Sequence, residues 1–213
     1  MKKYEQLIDQ LSRELAPVKP APDINRLALA WLAISAVFVT TITHLVDPIR
    51  PGAYSQLANH PRFLLETMLG LAAIAWTGLI AFRDAVPGAL TRRFAVAGMV
   101  LMVLWLAQYL AGLISPALEP ATLGKRNYCY LETMIYSVPP LLAAIYLARR
   151  FYPLHYRRTA MSLALAAGMM PALYMQIACM YLPTHILQFH ILPGLSMVLA
   201  GAAVASLWRL QPR

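Results

Sequence analysis

The chain has 213 residues, of which 60% are hydrophobic and only 13% charged, with a formal net charge of +9. Soluble domains carry roughly 25% charged residues, so a water-soluble globule is excluded. The excess of base does not make a nucleic-acid binder either: no RRM-like, helix-turn-helix or zinc-finger pattern accompanies it, and basic residues beside apolar spans are what membrane orientation requires.

Residues 1–26 read as a cytoplasmic amphipathic helix followed by a proline-containing linker. Tyr4, Leu7, Ile8, Leu11 and Leu15 repeat at the three, four and seven spacing of one apolar helical face. Lys2, Lys3, Glu5, Asp9, Arg13 and Glu14 fill most of the rest. Pro17, Pro20 and Pro22 stiffen the connection that follows. Such a short helix is marginal alone in water and needs a surface to fold on. No cleavable signal peptide is expected, since a long polar stretch precedes the first apolar span.

Residues 27–208 hold six apolar spans, placed at Leu27–Val46, Phe63–Phe82, Phe94–Ile114, Tyr128–Ala148, Thr159–Met180 and His185–Trp208. Each approaches the roughly 20 residues that cross a bilayer. The fourth is the weakest, because it carries Glu132 and Pro139-Pro140. Between Arg158 and Arg209 there are 50 residues without Asp, Glu, Lys or Arg. One helix of that length would run to about 75 Å, so the chain must turn, and Leu182-Pro183-Thr184 is the place.

Basic residues choose the number of spans and their direction. With six spans, 14 of the 18 Lys and Arg fall on the side of the termini and 4 on the other. Removing the fourth span would carry Arg149, Arg150, Arg157 and Arg158 across and destroy that asymmetry. The expected fold is therefore all-α, a polytopic membrane protein with six transmembrane helices and both termini cytoplasmic. Residues 209–213 form a short cytoplasmic tail. No internal repeat of the transporter kind is visible.

This topology gathers the chemistry-bearing side chains at the outer face. Cys129 and Glu132 open the fourth span, Cys179 closes the fifth, and His185 and His190 begin the sixth. His44, His60 and Glu66 lie near the same face, and His155 alone is cytoplasmic. Two outer thiols can pair or be oxidised. Thiol, imidazole and carboxylate together also suit a soft or borderline metal ion. The spacing of Cys179, His185 and His190 is not that of a zinc motif. Five residues separate the two histidines, about 140° around an α-helix, so they are not expected to share a face. Buried thiols acting as small apolar groups and interfacial histidines are the plainer alternatives. Glu66 and Glu132 either anchor by pairing, Glu66 with Arg62 one turn before it, or take part in sensing. Pro139-Pro140, Pro171 and Pro193-Gly194 are expected to loosen their helices, for shape or as hinges.

Several stretches resemble the NrsF-type negative regulators of extracytoplasmic-function sigma factors, a family of six-span bacterial anti-sigma proteins. They are the Leu7-Ile8 helix with Ala16-Pro17-Val18, Pro61-Arg62-Phe63, Ala81 to Gly88, Asn127-Tyr128-Cys129, Pro139-Pro140 with Arg149-Arg150 and Pro153-Leu154, and Cys179 followed by His185, His190 and Gly194. Met180-Tyr181-Leu182 depart from the family pattern. The resemblance implies a protein of the bacterial inner membrane that holds a sigma factor at the cytoplasmic face and releases it after a periplasmic metal or oxidative signal. Cys129 and Cys179 would sense, with His185, His190, Glu132 and Glu66 beside them. Tyr4, Leu7, Ile8, Leu11 and Leu15 would contact the partner, folding as a helix in a groove. The expected partners are the sigma factor and the bilayer, without direct nucleic-acid contact. No cofactor and no enzymatic activity are expected. A membrane thiol oxidoreductase or metal permease is the competing class, weakened by the lack of a C-x-x-C motif and of a charge at mid-membrane.

Overall fold

The structure, a computed structural model, describes residues 2–14 and 22–209. Leu15 and Ala16 of the expected N-terminal helix, Pro17, Val18 and Pro20 of the expected linker, and most of the expected tail lie outside the described residues. Helix α1 is Lys2–Glu14, α2 Ile24–Val46, α3 Ala53–Asn59, α4 Pro61–Asp84, α5 Arg92–Gly112, α6 Cys129–Arg149 and α7 Tyr156–Ala178. The last span combines α8, Pro183–Ile186, a π-helical turn over Leu187–Ile191, and α9, Leu192–Arg209. Among the described residues, six helical spans are long and apolar enough to cross a membrane. Their limits lie within about three residues of those read from hydropathy, as fraying ends allow.

Local chemistry sets the ends of these helices. The Asp23 carboxylate accepts from the backbone N–H groups of Asn25 and Arg26 and caps α2. Thr91 does the same for α5 through Phe94 N–H. Pro61 and Pro183 stand in first turns, where a missing N–H costs nothing. Inside the spans, water is not there to satisfy hydroxyls. Thr43, Thr67, Thr77, Thr133 and Ser137 therefore donate to the carbonyl four residues back, at 2.6–2.8 Å. Pro139, Pro140 and Pro171 lie inside continuous helices. Trp31 Nε1 donates to Pro140 O at 2.9 Å, tying α2 to this proline pair.

Helix α7 is the centre of the bundle: 78% of its span is buried inside the protein, against 22% for α2 and α5. Its buried residues are mostly Ala, Gly, Met and Leu, so α9, α6 and α4 can all approach it closely. The α7–α9 seam is the tightest. A methyl group on Gly194 would strike Gly168 O at 2.8 Å and Ala172 Cβ at 3.1 Å, so only glycine lets these backbones meet.

Two ends of the bundle differ in their bonding. At the end that begins α2, Arg83 Nε donates to Asn25 Oδ1 at 2.8 Å, and Asp84 pairs with Arg158 and accepts from Thr159 Oγ1 at 2.8 Å. At the opposite end, two arginines are folded inward. Arg126, 2% exposed, pairs with Glu132 at 2.8 Å and donates to the carbonyls of Asp47, Pro48 and Thr43. Arg50 donates through Nε to Ile177 O at 3.0 Å and lies between the rings of Phe63 and Tyr181. Its backbone N–H bonds Ala178 O at 2.9 Å. Gly124, with φ of +77°, passes directly over Arg50, where a side chain would collide with Arg50 Cα and Cβ.

Candidate functional site: a sulfur and imidazole cluster

Four elements meet at the end of the bundle away from the termini. Cys129 is the first residue of α6, and its thiol donates to Arg126 O at 3.2 Å. Cys179 caps the end of α7 through its own N–H to Met175 O. His185 lies in α8 and His190 in the π-helical turn. All four side chains are buried, and their ligand atoms lie within 4.8 Å of one another. The two sulfurs are 3.0 Å apart, and Cys179 Sγ is 3.5 Å from His185 Nε2. Both cysteines are free thiols.

One expectation needs correcting. His185 and His190 do share a face, with ring centroids 5.0 Å apart in an edge-to-face arrangement. The reason is the π turn, in which Leu192 N–H reaches back five residues to Leu187 O. A wider turn advances less around the axis per residue, so positions five apart swing back toward one face instead of diverging. Pro193 stands just beyond and has no N–H for Phe189 O, which locally breaks the α ladder. His185 is held from its other side by stacking on Phe189 at 4.7 Å.

The remaining candidates sit elsewhere. Glu132 is on α6, three residues after Cys129, with its carboxylate taken by Arg126. Glu66 is held by Arg62 at 3.0 Å, and Arg62 also reaches Ser115. His44 Nε2 lies 2.9 Å from Tyr54 Oη and 2.8 Å from Tyr174 Oη, a separate polar group between α2, α3 and α7. His60 is exposed at the start of α4. Sequence reasoning missed Arg50 and Arg126, which resemble ordinary loop arginines. Tyr4, Leu7 and Ile8 of α1 are each more than half exposed, so these three apolar side chains are uncovered.

The fold and the cluster define a six-span helical membrane protein with a buried thiol–imidazole group at one end and, joined in sequence to the other, an amphipathic helix whose described apolar side chains are exposed. Over residues 11–209 the chain matches the family described as negative regulator of sigma F, NrsF, and it belongs to that family. No curated protein and no solved structure matches it. The coarse function follows: a membrane protein that negatively regulates a sigma factor.

Proposed function

We propose that the chain is an anti-sigma factor of the bacterial inner membrane, a binding regulator and not an enzyme. It sequesters an extracytoplasmic-function sigma factor at the cytoplasmic face and frees it when a metal ion or oxidant reaches the outer thiols. The observation that carries this reading is the separation of the two chemistries. The thiol–imidazole cluster closes one end of α7, while α1, with its bare apolar face, is joined to the other end. At 23 residues, α7 spans about 35 Å, enough to keep input and output on opposite sides of a bilayer. The distribution of Lys and Arg supports placing the cluster outside.

Oxidation has a simple balance. Each thiol gives up one proton and one electron, the two sulfurs join, and an oxidant such as a peroxide is reduced to water. The partner-binding step is helix-in-groove docking of Tyr4, Leu7, Ile8, Leu11 and Leu15. Deleting residues 1–22 abolishes co-purification of the sigma factor while leaving the protein in the membrane. Retained co-purification overturns the docking proposal. Labelling of Cys129 and Cys179 from the cytoplasmic side, in unfolded but membrane-integrated protein, overturns the orientation.

A further inference from the structure

His190 is the least satisfied group in the cluster. It is 0% exposed, and neither of its ring nitrogens finds a hydrogen-bond partner among the described residues. Leaving a buried polar group unpaired is costly, and native proteins rarely tolerate it without a reason. Here the imidazole is aimed at two thiols and a second imidazole that are themselves buried.

We infer that Cys129, Cys179, His185 and His190 form a closed four-ligand site for a borderline divalent cation of the zinc type. A tetrahedral centre with metal–sulfur distances of about 2.3 Å and metal–nitrogen distances of about 2.0–2.1 Å sets its ligand atoms about 3.3–3.8 Å apart. The cluster already has 3.0 Å between sulfurs, 3.5 Å from Cys179 to His185, and no separation above 4.8 Å. Closing on an ion takes side-chain adjustments, not backbone movement. Two thiolates and two neutral imidazoles around a doubly charged ion leave no net charge, which suits a site walled by apolar helices. The S₂N₂ donor set selects zinc, cadmium or cobalt over magnesium or calcium, which need oxygen. The nearest carboxylate, Glu132, is engaged by Arg126 and does not complete the set. Binding replaces the two thiol protons, which leave to solvent. Formation of a Cys129–Cys179 disulfide takes both sulfur ligands away and expels the ion, so metal and oxidant compete for the same two atoms.

This deepens the sensory reading and rests on it for its regulatory meaning. Binding is measured without a sigma factor, so the two fail separately. Full-length protein in detergent micelles, reduced and stripped with a chelator, is titrated with Zn²⁺ and, as a spectroscopic stand-in, with Co²⁺. The expected result is one ion per chain, with tetrahedral cobalt bands and a thiolate-to-cobalt charge-transfer band. Cys129→Ser, Cys179→Ser, His185→Ala and His190→Ala should each weaken binding by more than about 100-fold, since even outer partners of metal ligands are worth 10–100-fold. His60→Ala and His44→Ala should leave it unchanged. Wild-type protein without stoichiometric zinc, or with an octahedral cobalt spectrum, overturns the site. Loss in the cysteine variants with wild-type affinity in both histidine variants overturns it too, because the thiols then act alone. If His190→Ala is not recovered folded, His185→Ala carries the same decision.

Discussion

The two ends of this bundle use charge in opposite ways. At the thiol end, Arg126 and Arg50 are buried in the fold and donate to carbonyls at the ends of α2 and α7 and in the loop after α2, while Arg126 also pairs with Glu132 of α6, tying these elements into one block. At the other end the Asp84–Arg158 pair leaves the arginine largely in the open, and α1 presents its apolar side chains uncovered. One end is built to hold a geometry and the other to meet something. That asymmetry is what the proposed sensing and docking roles would require.

The comparison can be broken by mutation. The largest effect is expected from Arg126→Met, which strands the Glu132 carboxylate and three carbonyls in a buried setting. Loss of one partner of a buried pair costs about 3–5 kcal/mol, read as a drop in thermal stability in detergent. The double variant with Glu132→Gln should recover part of it. Gly124→Ala comes next, at about 1–3 kcal/mol, because alanine meets both the left-handed backbone and Arg50. Asp84→Asn should cost less, about 1 kcal/mol, since its partner Arg158 is solvated and an amide still accepts from Thr159. If this change destabilises as much as Arg126→Met, the contrast between the ends fails. Smallest in stability is Leu7→Asp with Ile8→Asp, within about 0.5 kcal/mol for exposed positions. The same pair should nonetheless abolish capture of the sigma factor, measured by co-purification.

The sequence made the spans legible because apolar length is a signal that few alternatives imitate. The same span assignment drew Cys129, Cys179, His185 and His190 to one end of the bundle, where the structure brings them together. Helix α3 was not visible: at seven residues it has no room for a periodic pattern. Arg50 and Arg126 were opaque because a loop arginine that will be buried looks like one that will be hydrated. Its carbonyl partners are backbone and leave no trace in side-chain identity. The histidine pairing was misjudged because ideal α geometry was assumed across His185 to His190. Pro193, three residues after the second histidine, was the available warning that the ladder there is interrupted.

The π turn over Leu187–Ile191 has a consequence for how the last span can change. It inserts a phase step between the His185–His190 stretch and α9, so the two keep independent rotational settings. Removing one residue from the turn would restore uniform winding and leave α9 docked along Gly168 and Gly194, but it would swing one imidazole out of alignment. Conversely, substitutions that re-seat α9 against α7 can be absorbed in the wide turn before they reach the sulfur atoms. The loose winding works as a coupling with slack, insulating a demanding cluster from the drift of the helix that carries it.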